Sequence, residues 1–598
     1  VNTTASCRRF FLLVCVFVLL LHQPGFSQSG KNPDDMESIL RAQAARGHVS
    51  LETLTITPGG NPLYLLKIGD PKPGRPAVFV AANMEGTQVQ ATQGALWLAD
   101  YLINRMDSFP DINWYILPCG NPDARKRYFA SPRWENSGNA SPVNNDNDDR
   151  TNEDGPNDLN GDGLITQMLL KHPLGEYVKD TSDGRIVRKA LPEKGEQGIY
   201  RLYTEGTDDD NDGQFNEDGP GGVNINRNFS YQYHSFVPEN GKWNGSEQES
   251  LALMKFFSEH PEIAMTLVIG ASDNLLFPPA DDPKSGNAKP IKVPGYYAER
   301  LGIDGSKTYS PEELKQEIEA NVDDKETGKR IYRMLLNSTP PTSIQPEDAR
   351  LYREISESFK KMLTEKNIPA DAEKLPDWSD GGFEQFAYFE YGLPVFCVHP
   401  WPLPKVSPKG KESKGNKDEK PTSETQRFLS YADSLGLEVF ADWQKIDHPK
   451  LGAIEVGGIV PFSITAINDD SLNARFEQVL PFCAELSRKI PSLTADYTLS
   501  RESDEIIKLE VYITNRGQLP CPTFMGERNQ KPSPVVFTID GPVTFLSGKA
   551  RTPAGSLGAG QSKKFLFLLK KEKDGELTLH LEAKNARVTQ PTLKINLQ

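Results

Sequence analysis

The chain has 598 residues, 37% hydrophobic and 25% charged, with a formal net charge of −15 from 82 acidic against 67 basic side chains. That length holds roughly two to four domains at about 100–250 residues each, with ample material for a large core. The acidic balance argues against nucleic acid as a partner, because phosphates would be repelled.

In chain order, Arg8 and Arg9 precede "FFLLVCVFVLLL", an apolar run of signal-peptide length that is short for a membrane span. Small residues in "GFSQSG" follow, so cleavage is expected near Ser27 and residues 1–28 read as a signal peptide. The expectation is an exported protein, periplasmic or extracellular, with no membrane span after cleavage. Of six cysteines, Cys7 and Cys15 belong to that leader. Cys119, Cys397, Cys483 and Cys521 form no CxxC pair, which argues against a thiolate zinc site and favours buried free thiols.

From about residue 50 the pattern is α/β. "PAVFVAANM" and "INWYILPCG" are apolar runs bounded by turn residues and read as buried strands. Between them "TQGALWLADYLINRM" has helical spacing, with Leu96, Ala99, Leu102 and Ile103 on one face. Strand, helix, strand predicts a parallel sheet element. "ESLALMKFFSEHPE" predicts a second helix, and "AMTLVIG" and "GLPVFCVH" two more core strands. Residues 310–366 read as polar and mostly helical. Residues 405–424 are Lys-rich and of low complexity, and read as a mobile loop. From residue 491 to 598, "KLEVYITNRG", "PVVFTIDG", "KKFLFLLKK" and "ELTLHLEAKN" recur with turn signals and predict a separate β-sandwich.

Residues 140–222 form an acidic, Gly-rich insertion with an internal repeat. "NNDNDDRTNEDGP" (144–156) returns as "DDDNDGQFNEDGP" (208–220), with "DLNGDGLIT" (158–166) between them. Oxygen ligands at alternate positions followed by Gly suit a loop that wraps a hard cation. Asp158, Asn160 and Asp162 with Gly163 fit, as do Asp208, Asp210 and Asp212 with Gly213. Asn144, Asp146 and Asp148 fit less well, since Asp149 stands where Gly would. No copy has the twelfth-position Glu of an EF-hand. Structural calcium is the expected occupant, because unneutralised carboxylates at this density would repel one another.

The ordered landmarks "LPCGNPDARKRYF", "GGVNINRNF" and "NGSEQESLALMKFF" resemble the zinc metallocarboxypeptidase family, that of carboxypeptidase A. Asn121, Pro122 and Asp123 match its "NPDG" turn, "NINRNF" its "DLNRNF", and Ser246, Glu247 and Glu249 its "SEPE" helix start. The acidic insertion and "HPKLGAIEVGG" near His448 resemble a bacterial branch that carries a C-terminal β domain. The resemblance covers about residues 50–490. It implies a three-layer α/β/α fold with a mixed sheet of about eight strands, and a zinc-bound water that attacks a C-terminal peptide bond. Such a site needs two His and a Glu as ligands and a further Glu as base.

This sequence departs from that set. Glu85 and Gln88 stand where the first His and Glu ligands align, in "EGTQ". Ile269, or Gly270 with a one-residue slip, stands at the third ligand, and His399 at the general base. No HxxE, HxH or HExxH pairing occurs anywhere. What survives is Asn226 and Arg227, which the resemblance assigns to the substrate's terminal carboxylate. The expectation is an exported family member without zinc and without catalysis, binding a peptide or other carboxylate ligand. Three readings stand beside it: a working metallocarboxypeptidase, a metal-free hydrolase using Glu85 and His399, and a structural or interaction protein of the cell envelope. Glu85 is also the expected ion-pair partner of Arg227 if that arginine is structural.

Overall fold

A computed structural model describes residues 33–597 apart from 71–73, 145–150, 152–154, 210–212, 217–221, 280–290, 323–324, 339–342, 371, 373, 402–423, 465–468 and 532–533. The leader, Asp146, Asp148, Asp210, Asp212 and nearly all of the Lys-rich segment lie outside the described residues.

Helix Pro33–Ala44 (α1) leads into the hairpin Val49–Ile56 (β1) and Pro62–Ile68 (β2). Then come Ala77–Ala82 (β3), Val89–Ile103 (α2), Asn113–Leu117 (β4) and Pro122–Tyr128 (α3). Every residue of β3 and β4 is buried, so both read as unbroken apolar runs, as strands covered on two faces do. The insertion supplies Gln167–Lys171 (β5), Tyr177–Lys179 (β6), Val187–Lys189 (β7) and Tyr200–Thr204 (β8). Gln248–Glu259 (α4) precedes Ile263–Ile269 (β9). Two-residue strands Ile291–Lys292 (β10) and Thr308–Tyr309 (β11) pair with each other beside Gly295–Leu301 (α5), Pro311–Asn321 (α6) and Lys325–Ser338 (α7). Pro346–Glu365 (α8) follows. A short turn Phe383–Gln385 (α9) then runs into a π-turn over Phe386–Glu390 and on to Val395–Val398 (β12).

The main sheet has order β1-β2-β4-β3-β9-β12. Strands β4, β3, β9 and β12 are parallel, and β1 and β2 are antiparallel. Helix α2 lies between this sheet and Asp469–Leu486, which is numbered α11 after Glu424–Leu435 (α10). Gly94 permits that closeness, since any side chain there would meet Phe476 of α11 at 3.2 Å and Ile269 at 3.5 Å. The sheet has six strands among the described residues, where about eight were expected. Strands Phe440–His448 (β13) and Gly452–Ile459 (β14) pair instead with the insertion, in a second, antiparallel sheet of order β13-β14-β5-β8-β6-β7. The insertion is therefore more than acidic loop: β5 pairs with β14 over Gln167–Leu170.

The C-terminal strands form a sandwich. One sheet holds Ser492–Arg501 (β15), Ile506–Asn515 (β16), Val543–Ser547 (β18), Ser562–Lys571 (β20) and Arg587–Val588 (β22). The other holds Val536–Asp540 (β17), Arg551–Pro553 (β19), Glu576–Glu582 (β21) and Thr592–Asn596 (β23). Strand β16 alternates buried and half-buried residues along its whole length, as one face on a core requires. Its core is distinct from that of the main sheet, yet Leu519 and Met525 of this region pack into the latter. They flank the start of helix Phe524–Asn529 (α12).

Asp348 in the first turn of α8 fastens that graft. Its carboxylate accepts from the Tyr388 hydroxyl at 2.8 Å and from the Phe524 and Met525 amides at 3.1 and 3.2 Å. Thr523 Oγ1 donates to the Gly392 carbonyl at 2.6 Å, and Asn529 donates to the Phe389 carbonyl. Cys119, Cys397, Cys483 and Cys521 are free and buried, as expected. Replacing Asp348 by Ala strands three donors, one a buried hydroxyl. It should lower the unfolding free energy by about 2–3 kcal/mol, read by urea denaturation. An unchanged midpoint would show that the two cores do not depend on this contact.

Candidate functional site

The site lies where strands β3 and β9 end. After β3 the chain turns sharply at Asn83, whose φ is +49°. Asn83 Oδ1 accepts from the Gln88 amide at 2.9 Å and its Nδ2 donates to Thr92 Oγ1 at 3.2 Å, so the turn Glu85–Gln88 is tied to the start of α2. Gly86, at φ +76°, lies against Asn121, Ala124 and Arg125 of the next turn, too close for any side chain. Gln88 is buried and its Oε1 has no partner.

At the end of β9, Ile269 is 1% exposed and packs towards Gly94 of α2. It is a core residue. Gly270 accepts from His399 Nδ1 at 2.6 Å through its carbonyl. A carbonyl can only accept, so Nδ1 carries the proton. The His399 ring also bonds the Trp401 backbone, and burial pushes its pKa down to about 4, so it is neutral. Just beyond, Asp273 accepts from the Leu276 and His399 amides at 2.7 and 3.1 Å. Burial raises it to about 7. Asn274 bridges β12 through the Val395 carbonyl and the Cys397 amide, both at 2.8 Å. Asp273 and Asn274 escaped the sequence reading, although "SDN" beside an apolar run signals buried polar anchors.

The "NINRNF" segment is a 3₁₀ turn, Ile225–Arg227, in which each asparagine has one task. Asn224 Oδ1 caps it through the Asn226 amide at 2.9 Å. Asn226 Oδ1 accepts from the Phe383 amide at 2.9 Å, and its side-chain amide lies near enough to Glu85 and Glu384 to favour their ionised forms. Asn228 is fully buried and joins Asn240, Trp243, Ser246, Glu247 and Ser250. Arg227 alone is exposed. Among the described residues no hydrogen bond or ion pair holds its guanidinium. Burial foremost acts on the Glu85 carboxyl, opposed by the Asn226 side chain and then by the Arg227 charge, and among the described residues Glu85 forms no ion pair with Arg227. Burial nevertheless leaves the Glu85 carboxyl above its usual range. Glu384, missed from sequence, is 4% exposed; burial foremost, then the Glu85 charge, raise it to about 7. Ser272 Oγ lies 3.5 Å from its Oε1.

The insertion's two ends are pinched beside this turn. Asn139 donates to the Val223 carbonyl and accepts from the Gly222 amide. Its side chain donates to Glu247 at 2.8 Å and to both Glu249 oxygens at 3.3 Å. Asp123 accepts from the Gly59 and Ala140 amides and from Asn61, and Arg127 donates to the Gly138 and Asn139 carbonyls. Farther along, Asp158 accepts from the Gly161 and Gly163 amides, both at 2.7 Å, and Asp162 from the Leu164 amide and Asn160. Glu205 accepts from the Leu159 and Thr166 amides and joins this loop to β8. His448 Nε2 donates to the Gly206 carbonyl at 3.0 Å, and Lys450 donates to the Asp208 carbonyl. The "HPKLG" turn thus grips the third acidic repeat. Asn144 belongs to the described flank of the first copy.

The profile of the zinc carboxypeptidase family matches residues 36–397, more than half of the chain. The chain belongs to the zinc carboxypeptidase family. A domain of unknown function (DUF8731) matches residues 495–595. No curated protein matches the chain. Among solved structures it is similar to bovine thrombin-activatable fibrinolysis inhibitor in complex with tick carboxypeptidase inhibitor, at 12% identity over 41% of this chain and 61% of that one, TM-score 0.25. Carboxypeptidase A from Helicoverpa armigera gives 16% identity over 40% and 45%, TM-score 0.24. A metallo-carboxypeptidase from Burkholderia cenocepacia gives 21% over 15% and 27%, TM-score 0.15. The chain spans less than two thirds of each of these neighbours.

The family implies zinc, and the residues at the strand ends do not fit it. Glu85 faces Asn226, Gln88 is an amide, Ile269 is core, and the His399 ring is held by backbone groups. Among the described residues no three His, Cys, Asp or Glu side chains are grouped to hold a metal ion.

Glu249 gives the pinch a pH dependence. Burial, then the charges of Asp123 and Glu247, raise it from 4.5 to about 8. The folded state keeps a proton that the unfolded state releases, so stability falls as pH rises from 4.5 towards 8 and levels beyond. Glu249→Gln should flatten that fall, as measured by melting temperature against pH. An equally steep profile would place the titration elsewhere.

Proposed function

We propose that this family member is an exported binding protein that docks a ligand carboxylate on Arg227 and does not hydrolyse peptides. The observation that carries the reading is the exposed Arg227 guanidinium, presented by a turn whose neighbouring asparagines are buried and committed. A planar fork of donors suits a terminal carboxylate of a peptide. The strand ends behind it offer Glu85, Gln88, Ile269 and His399 in place of a zinc set. Export rests on the leader-like residues 1–28, and no helix among the described residues is long and apolar enough to cross a membrane.

The purified chain should hold no stoichiometric zinc by elemental analysis and release no C-terminal residue from peptides. One equivalent of zinc with chelator-sensitive peptidase activity would refute this. Arg227→Ala should abolish binding of peptides with free C-termini while changing stability by no more than about 1 kcal/mol. Arg227→Lys should restore it only in part, since an ammonium lacks the fork. If Arg227→Ala unfolds the protein, the arginine is structural instead.

The acidic repeats are assigned structural calcium. Asp208 supports this, because among the described residues its buried Oδ1 has no hydrogen-bond partner, in a sequence crowded with carboxylates. A cation that binds only the folded state stabilises it by mass action. Chelation should lower the melting temperature and open residues 144–220 to proteolysis. A melting curve indifferent to chelator would overturn the assignment.

A further inference from the structure

Helices α1, α2 and α3 and the start of α11 enclose a cavity of about 790 Å³, within the size range of small-molecule sites. Much of its wall is apolar, with Met36 and Ile39 from α1, Leu96 and Trp97 from α2, and Phe129 and Leu472. The four charged side chains that line it are two of each sign, Asp35 and Asp100 against Arg46 and Arg125. Arg46 and Asp100 pair with each other at 2.5 Å where both side chains are exposed. The buried Arg125 guanidinium lies 5.1 Å from the centre of the Phe129 ring. The lining therefore has no net charge to answer a charged ligand. Its one unmatched polar group is on Gln43, which is 5% exposed. Gln43 Nε2 donates to the Leu96 carbonyl at 3.0 Å. A carbonyl can only accept, so the amide cannot be turned round. The atom left over is Oε1, which has no hydrogen-bond partner among the described residues. A buried acceptor without a donor is costly.

The complement of such a cavity is an uncharged, apolar body with a single donor. Trp97 and Phe129 favour a ring as that body, since aromatic pairs gain beyond the area they bury. The Trp97 ring is itself held in place, stacked on Tyr101 at 5.3 Å. We propose that this cavity binds a neutral aromatic molecule carrying one hydrogen-bond donor, of the phenol or indole type. Its O–H or N–H serves Gln43 Oε1, and its ring packs among the apolar side chains of α1 and α2. The inference is independent of the carboxylate reading of Arg227, because no residue of that turn lines the cavity. The cavity does adjoin the Glu85–Gln88 turn. Val89, the first residue of α2, lines it, and so does Arg125, whose backbone amide packs against Gly86.

The test is calorimetric titration of the full chain with 2-naphthol, 2-methoxynaphthalene and naphthalene-2-sulfonate, joined to amide hydrogen exchange with and without 2-naphthol. The naphthol should bind about three- to tenfold tighter than its methyl ether, the worth of one neutral hydrogen bond. The sulfonate should bind more weakly than the naphthol. Exchange should slow in Pro33–Ala44 and Val89–Ile103 and stay unchanged in the C-terminal sandwich. Gln43→Met keeps the length of the side chain and removes the acceptor, so it should erase the advantage of naphthol over ether. The wild-type titrations and the exchange map decide the matter even if that variant fails to fold. Equal affinity for naphthol and ether would overturn the donor contact to Gln43. Tighter binding of the sulfonate would overturn the neutral cavity. No binding by any of the three, or slowed exchange confined to other elements, would overturn the site itself.

Discussion

Irregular backbone at the end of a buried sheet must find hydrogen-bond partners, and here short asparagine side chains supply them. Asn83, Asn224, Asn226, Asn228 and Asn274 each join two or more segments that regular structure leaves unpaired. An amide both donates and accepts without carrying charge, so it can be buried where a carboxylate or ammonium would be costly. The turn bearing Arg227 exists because Asn224 starts it, Asn226 locks it to α9, and Asn228 anchors its far side. The arginine is exposed because its neighbours are fully engaged inside.

The same scaffold surrounds the residues that align with the family's zinc and base positions. Ile269 adds to the core, His399 is neutral between backbone groups, and Gln88 is uncharged. The charge left over is carried by Glu85 and Glu384, and burial favours their neutral forms. Among the described residues the buried acceptors Gln88 Oε1 and Glu384 Oε2 have no hydrogen-bond partner, and Arg227 lies exposed on its turn. Hydrolysis needs a polarising centre and a base that is free to take a proton. The His399 ring, the residue aligned with the base, is already bonded to the Gly270 carbonyl.

Two additions brace the same strip of structure. The insertion is pinched at Asn139 and Val223, immediately before the Arg227 turn, and its strands extend the β13–β14 hairpin. The C-terminal sandwich sends α12 into the main core against Asp348, Tyr388 and Gly392, immediately after Glu384. Each addition lies within a few residues of a site side chain. Packed, hydrogen-bonded contacts of this kind hold loops whose own backbone makes few regular bonds.

The core strands and helix α2 were legible because apolar runs and helical spacing report burial directly. The family landmarks were legible as an ordered set. The C-terminal strands followed from short runs at regular spacing with turn signals, and the alternating burial of β16 agrees. The sequence could not show that β13, β14 and the insertion would form their own sheet, because partners over 200 residues apart in the chain leave no local period. Nor could it show that Glu85 would turn to Asn226 instead of Arg227, or that Glu384 would lie beside it, since "GGFEQF" reads as an ordinary helix start. Residue types and periodicity thus determined the fold class, and the ordered landmarks the family. Which buried acceptors remain without donors was decided only by the tertiary structure, because hydrogen-bond satisfaction depends on segments that meet in space.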